Sequence, residues 1–286
     1  MVHEHIGKIS GRKEDSHKGD YGRIFVVAGS PGMTGAAFLC SQGALRAGSG
    51  LVTCGVPASL NQIMEVKLTE VMTMSLPETS GGYLSVKGKD KIISFARKCD
   101  AVALGPGLGR EEETKQLVAE LVRGVEAPLV VDADGINNLE GHIEILKDRK
   151  ERTVITPHPG EMSRLTGKDI GEVQRGREDI AKSVAEVTGA VVCLKGHRTV
   201  VASPEGRVYV NDTGNSGMAS GGTGDVLTGM IASFIGQGLD DFSAAVSAVY
   251  LHGVAGDIAA EKKGQFCMIA SDILKYMYSA FDKAGI

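Results

Sequence analysis

The sequence has no CxxC pair, no HExxH or EF-hand pattern, no P-loop GxxxxGK[ST] and no GxSxG elbow. Those absences set aside the common zinc and calcium centres, P-loop phosphate chemistry and the serine nucleophile of an α/β-hydrolase. GPGLG carries glycines at 105, 107 and 109, one residue short of the dinucleotide-binding GxGxxG spacing, which disfavours hydride transfer on a nicotinamide cofactor held in that way. The five cysteines, Cys40, Cys54, Cys99, Cys193 and Cys267, are scattered and odd in number, and most sit inside apolar runs. They read as buried, inert thiols in a reducing compartment. A formal net charge of -4 supplies no concentrated basic face for nucleic acid or an anionic membrane. No apolar run approaches the roughly 18 residues needed to span a bilayer, and the opening MVHEHIGKISGRKEDSHKGDYG is polar without a signal-peptide core. The expectation is a soluble, cytoplasmic protein with no nucleic-acid and no membrane partner.

What the chain does have is length, an ordinary apolar content and glycine. It has 286 residues, 42% hydrophobic and 23% charged, enough for a sizeable core and against long disorder. Its 39 glycines cluster after apolar runs, where turns belong. Short β-rich runs recur: RIFVVAG (23–29), LVTCGV (51–56), VMTMSL (71–76), AVALG (101–105), LVVDAD (129–134), TVITP (153–157) and AVVCLKG (190–196). Helical patterns over 34–47, 111–123 and 169–187 alternate with them. Strand and helix in alternation predict an α/β fold: a doubly wound, mostly parallel sheet flanked by helices. TVVASP and RVYVND, separated by Pro204-Glu205-Gly206, predict an antiparallel hairpin before the C-terminal helices. There, Val226, Leu227, Met230, Ile231, Phe234 and Ile235 share one helical face. So do Ile273, Leu274, Met277, Tyr278 and Phe281 on a last helix capped by Ser271. No linker or repeat divides the chain, so residues 1–286 are expected to be one domain with a polar extension over 1–16.

In an open parallel sheet, ligands collect beyond the carboxyl ends of the strands. Those positions read GSPGMTGAA, GPGLG, DADGIN, TPHPGE, KGHRT and NDTGNSGMASGGTGD. Turns of this kind need glycine for structural reasons alone, but each also carries a polar or charged group. The last is the phosphate candidate. Gly221, Gly222, Thr223 and Gly224 precede a helix, so their amides can converge on an anion with the helix dipole behind them. Asp225 is badly placed to bind phosphate and well placed to take a proton from a hydroxyl attacking it. It also reads as an ordinary first-turn acid facing the dipole.

GGTGD opening a late helix resembles the anion hole and catalytic aspartate of the ribokinase-like superfamily. HKGDYGRIFVVAGS with MTGAAFL, ALGPGLG, DADGIN, TPHPGEMSRL and LKGHRTVVASPEGRVYVNDTGNSGMASGGTGDVLTG, in this order, resemble the ADP-dependent NAD(P)H-hydrate dehydratase family within it, over roughly residues 15–280. The resemblance implies a repair enzyme that removes water from (6S)-NADHX or (6S)-NADPHX with ADP as phosphoryl donor, releasing AMP and phosphate. It assigns Asp225 as base and Gly222, Thr223 and Gly224 to the transferred group. It places the nucleotide along Lys195, Gly196, His197, Arg198 and Thr199 with Gly224, and the hydrate at Ala37, Gly107, His158 and Asp225. Spacing alone leaves KGHRT open as a plain hairpin turn with basic residues.

Many ribokinase-like kinases hold Mg²⁺ with an Asn-x-x-Glu acid. Here the segment is His158-Pro159-Gly160-Glu161, so the resemblance leaves Glu161 as an outer-shell magnesium candidate, with Asp132 and Asp134 as neighbouring charge. The family suggests a homotetramer, and the small-residue helix over 243–260 reads as packing either inside a subunit or between subunits. With the first strand at Arg23 there is no room for a fused epimerase, so a separate NAD(P)HX epimerase is the expected functional partner. Two other readings stand beside this one. One is a ribokinase-like kinase of a vitamin precursor of the hydroxyethylthiazole or hydroxymethylpyrimidine type, and the other is a nucleotide-sensing module without turnover.

Overall fold

A computed structural model describes residues 2–9 and 11–286. Its strands are β1 (Arg23–Val27), β2 (Leu51–Pro57), β3 (Met72–Leu76), β4 (Ala101–Leu104), β5 (Leu129–Val131), β6 (Thr153–Ile155), β7 (Val191–Leu194), β8 (Val200–Ala202) and β9 (Val208–Val210). They form one nine-stranded sheet in the order β3-β2-β1-β4-β5-β6-β7-β8-β9. From β3 to β7 all neighbours are parallel, while β8 and β9 add antiparallel, as the hairpin predicts. The order reverses direction between β1 and β4, which opens the crevice where such sheets bind ligands.

The helices are α1 (Val2–Ile6), α2 (Thr34–Arg46), α3 (Asn61–Lys67), α4 (Lys89–Ala96), α5 (Glu112–Gly124), α6 (Asp134–Asn137) and α7 (Glu144–Lys147). They continue with α8 (Pro159–Thr166), α9 (Ile170–Arg175), α10 (Arg177–Thr188), α11 (Thr223–Gly236), α12 (Asp241–Lys263) and α13 (Ala270–Ala284). Successive strand residues point to opposite faces. Ile24 and Val26 pack with α2, α11, α12 and α13, whereas Phe25 and Val27 pack with α4, α5, α8 and α10. Each face is covered, which is why the strands read as unbroken apolar runs.

Several details differ from the sequence reading. The helical run over 169–187 is split at Gly176, whose backbone leaves the helical region at φ -112, ψ 37. Ser271 is not the cap of α13; Ile269 is, and its amide donates to Asp272 Oδ2 at 3.0 Å. Tyr278 is turned out, 73% exposed, and Cys267 is exposed while Cys40, Cys54 and Cys193 are buried. Burial pushes the Cys54 and Cys193 thiols up to about 12, so both stay protonated.

Helix α12 is longer and more apolar than the sequence reading allows. Its 23 residues reach a mean hydropathy of 1.2 over an 18-residue window, enough by length and composition to cross a membrane, and 83% of that window is buried inside the fold. Small residues make that burial possible. A side chain at Gly253 would begin 2.1 Å from Thr213 Oγ1, and one at Gly256 would begin 2.3 Å from Met218 Sδ, so the chain after β9 lies directly on the helix.

β5 stops at Val131 because the backbone turns back at once. Ala133 sits at φ 51, ψ -119, a conformation that glycine adopts freely and an L side chain does not. Replacing Ala133 with Gly should therefore stabilise the fold by about 1 kcal/mol, raising the melting temperature by about 2–4 °C in a thermal melt.

Candidate active site

Helix α11 begins in the crevice. Gly222, its N-cap residue, sits at φ 95, ψ -17, and no side chain caps the helix. The first-turn amides are thus left for a ligand, with the positive end of the dipole behind them. The loop before them is tied down from three sides. Thr223 Oγ1 donates to the carbonyls of Met218 (3.0 Å) and Ser220 (3.1 Å). Asp257 of α12 accepts from the amide of Gly214 and the side chain of Asn215, both at 2.9 Å. His252 Nε2 lies 2.9 Å from the carbonyl of Thr223. A carbonyl only accepts, so that nitrogen carries the proton, and burial holds the ring's pKa down to about 4, leaving it neutral.

Asp225 stands in the first turn of α11, where burial, and then the nearby carboxylate of Asp132, push its carboxyl up to about 7. Lys195 opposes that rise. Asp132, at the end of β5, is 1% exposed and fully engaged. Its Oδ1 accepts from Lys195 Nζ at 2.5 Å and Thr156 Oγ1 at 2.7 Å, and its Oδ2 from Thr228 Oγ1 at 2.8 Å. Lys195 Nζ is also 3.8 Å from Glu161 Oε2. Its partners raise the lysine's pKa, Asp132 first and Glu161 second, against the opposing effect of burial, so the ammonium stays charged.

Glu161 is 4% exposed. Its Oε2 accepts the amide of His158 at 2.7 Å, and His158 Nδ1 accepts the amides of Gly160 (2.9 Å) and Glu161 (3.3 Å). The pair is a capping box for α8, with Pro159 in its first turn. Burial raises the Glu161 pKa.

A cavity of 740 Å³ opens beside this cluster. His158, Lys195, Gly196, His197, Arg198, Thr199, Thr223 and Gly224 all line it. Arg198, at φ 55, holds a left-handed turn at its rim. The structure thus brings the KGHRT turn and Thr223 and Gly224 of the glycine loop to one wall, with His158 on the same cavity, while Gly221, Gly222 and Asp225 are not in its lining. Ala37 and Gly107 lie elsewhere. Ala37 is 0% exposed on α2, and a side chain on Gly107 would begin 2.8 Å from Met33 Cβ and 3.0 Å from Ala36 Cβ. Gly107 therefore packs against the start of α2, the helix that carries Ala37; both residues are outside the lining of the cavity, and Ala37 offers no side-chain surface there.

Sequence reasoning missed Thr156, Thr228, His252 and Asp257. Thr228 was within reach of it, since three residues after Asp225 it shares that helical face. Thr156 belongs to TPHPGE. His252 and Asp257 stand alone in a long helix and carry no local signal.

Magnesium meets a poor fit. Both Asp132 oxygens face proton donors, Glu161 Oε2 accepts an amide, and its Oε1 is 3.3 Å from His158 Nε2. Among the described residues, no group of three or more His, Cys, Asp or Glu side chains is placed to hold a metal ion. The acids therefore do not fit a directly coordinated magnesium, and Glu161 is committed to its helix and to the lysine.

The sheet order, the antiparallel edge and a glycine-entered helix carrying an acid at the strand ends are those of the ribokinase-like fold class. Within that class the chain belongs to the NAD(P)H-hydrate dehydratase family, whose profile matches residues 24–279. The bifunctional NAD(P)H-hydrate repair enzyme of Moorella thermoacetica is 49% identical over 266 residues, 93% of this chain and 50% of that protein. The ADP-dependent (S)-NAD(P)H-hydrate dehydratase of Neisseria meningitidis is 38% identical over 259 residues, 88% of this chain and 82% of that protein. The solved ADP/ATP-dependent NAD(P)H-hydrate dehydratase of Bacillus subtilis, co-crystallised with ATP and Mg²⁺, aligns with a TM-score of 0.84 at 30% identity, covering 99% of this chain and 97% of that one. The chain spans about half the length of the bifunctional curated relatives it matches first.

The raised pKa of Asp225 has a consequence for stability. From an ordinary 3.8 it rises to about 7 in the fold, so the folded state holds a proton that the unfolded chain has released. The neutral carboxyl's contribution is complete below about 3.8 and is lost as pH rises through about 7. Asp225→Asn, always neutral, should be more stable than the wild type at pH 8, by about 4 kcal/mol at most, with the gap closing toward pH 4. Urea denaturation of both proteins across that range reads the difference.

Proposed function

We propose that this chain catalyses the ADP-dependent dehydration of (6S)-NADHX and (6S)-NADPHX to NADH and NADPH, with release of AMP and phosphate. The observation that carries this reading is Asp225 itself. It is a carboxyl in the first turn of a glycine-entered helix, poised to titrate near neutrality beside free amides and a fixed ammonium. A general base works best when its pKa lies near the operating pH.

On this reading the nucleotide occupies the cavity along Lys195–Thr199, with its terminal phosphate over Gly222, Thr223 and Gly224. The ring hydroxyl of the hydrate gives its proton to Asp225 as its oxygen attacks that phosphate, and AMP leaves. Amides already aimed at the transferred group stabilise its charge without reorganising. The ring then carries a phosphate ester in place of a hydroxyl. Phosphate departs with the C–O electron pair, pushed by the ring nitrogen, and loss of the neighbouring ring proton restores NAD(P)H. The hydrate's ring would reach Asp225 from the side of Ala37 and Gly107, with His158 on the nucleotide side. Buried Ala37 would then shape the floor beneath the hydrate through its backbone and packing.

We further infer that the chain is a single domain working as a homotetramer in the cytoplasm, with epimerisation of the R hydrate supplied by a separate catalytic domain. Light scattering of the purified protein measures the tetramer.

Incubating the chain with NADHX, Mg²⁺ and ADP or ATP should restore NADH absorbance. A stable phosphorylated alcohol in its place would make the protein a kinase, and binding without either product would make it a sensor. Asp225→Asn should abolish turnover while leaving ADP binding largely intact in calorimetry; a variant dehydrating at the normal rate removes Asp225 as the base. Gly222→Val should lower kcat by about 10²–10³, the loss expected when oxyanion donors are displaced. Its Cβ would begin 2.4 Å from Leu39 Cδ1 at a φ of +95 that β-branched residues do not accept. Unchanged kinetics would undo the assignment of the glycine loop.

A further inference from the structure

The acids that a ribokinase-like site would turn toward a divalent cation are occupied by a lysine. Lys195 Nζ sits between Asp132 Oδ1 at 2.5 Å and Glu161 Oε2 at 3.8 Å, with its side chain 18% exposed. On its other side it faces the helix entrance: a Cβ on Gly224 would begin 3.3 Å from Nζ, 3.8 Å from Cε and 3.8 Å from Cδ. The ammonium is held in position by backbone as well as by acids. The amide of Lys195 donates to the carbonyl of Pro157 at 2.8 Å, and Arg177 donates to the carbonyls of Leu194 (2.8 Å) and Lys195 (3.3 Å). Asp132 in turn is clamped by Thr156, just after β6, and by Thr228 of α11, so it cannot swing toward a metal without breaking hydroxyl hydrogen bonds.

We propose that the Lys195 ammonium is the resident cation of the phosphate site, and that it closes the Asp132–Glu161 pair to divalent metal. A cation entering between these carboxylates would meet a like charge already in place, in surroundings where water screens poorly. Magnesium therefore reaches the site on the phosphates of its nucleotide, and the protein's own positive charge next to the glycine amides is the lysine. Rigidly held between two acids, the ammonium needs no reorganisation as charge builds on a transferred group. Only this second part rests on the proposed dehydration; the closure to metal stands on geometry and is tested without turnover.

The test uses Mn²⁺ alone as probe, followed by its electron paramagnetic resonance signal on the nucleotide-free, full-length protein. The wild type should leave the free Mn²⁺ signal unchanged at about equimolar protein and metal. Lys195→Met, shown by circular dichroism to be folded, should bind one Mn²⁺ per chain, and the double variant with Glu161→Gln should lose it again. Lys195→Arg, which keeps a cation there, should remain closed. Wild-type protein that binds Mn²⁺ without nucleotide and loses it on Glu161→Gln would overturn the proposal, as would a folded Lys195→Met that gains no site. The wild-type titration decides even where Lys195→Met does not fold. In turnover, Lys195→Met should lose about 10²–10³ in kcat. Mn²⁺ in excess of nucleotide should restore part of that rate in the variant and leave the wild-type rate unchanged.

Discussion

Three carboxyl groups and one ammonium share a largely buried space where β5, β6, β7 and α11 converge, and the rest of the site follows from that imbalance. Asp132, Glu161 and Asp225 cannot all be ionised against a single Lys195 in surroundings that solvate charge poorly. Asp132 takes the lysine and two hydroxyls, so both of its oxygens are bonded. Glu161 keeps an amide and a longer contact to the lysine, and its pKa rises. Asp225, with the least compensation, rises to about 7. A proton-accepting group near neutrality is thus produced by the arrangement of its neighbours rather than by any property of aspartate.

The fold makes this cluster possible by bringing distant segments to one edge. Parallel pairing from β3 to β7 puts every following turn at the same end of the sheet. Those turns then lock onto one another. Asp134 accepts the amide of Gly109 at 2.9 Å, and Asn137 accepts from Arg164 Nε at 2.9 Å, joining the ends of β4 and β5 to α8. Behind the glycine loop, α12 serves as a wall whose small residues let the chain lie close. Its buried His252 and its Asp257 hold that loop in register. Strain at Ala133, beside Asp132, persists because these contacts over-determine the turn.

Much of this was legible in the sequence. Apolar runs ending in glycine and a charged residue marked the strands and the strand-end turns beside the cavity together, because burial on both faces and a solvent-facing turn leave different residue signatures. The hairpin was readable from Pro204-Glu205-Gly206. What failed did so for identifiable reasons. Ser271 looked like a cap because serine favours that role, but Asp272 bonds back to Ile269 and moves the helix start by two residues. Tyr278 fell on the apolar side by spacing, yet its ring ends in solvent. Gly176 broke a periodic run that spacing alone would have continued. The direction of Lys195 was the larger loss. A basic turn after a strand suggests phosphate, and nothing local says that the side chain turns inward to an acid 63 residues earlier.

That inward turn also bears on the proposed reaction, whose two requirements pull against each other. A phosphate cradle needs positive potential, whereas a base needs a carboxylate, and placing both within one helical turn would ordinarily weaken each. Lys195 separates the tasks. It stands next to Gly224, where an anion would meet the amides, and it offsets the two acids deeper in the cluster, so that Asp225 is the group left to exchange a proton. The cavity wall lies on one side of α11's first turn, and the Ala37 and Gly107 region is outside that wall. A group passing from nucleotide to a second substrate would cross that turn, where the free amides, the ammonium and the titrating acid are all within reach.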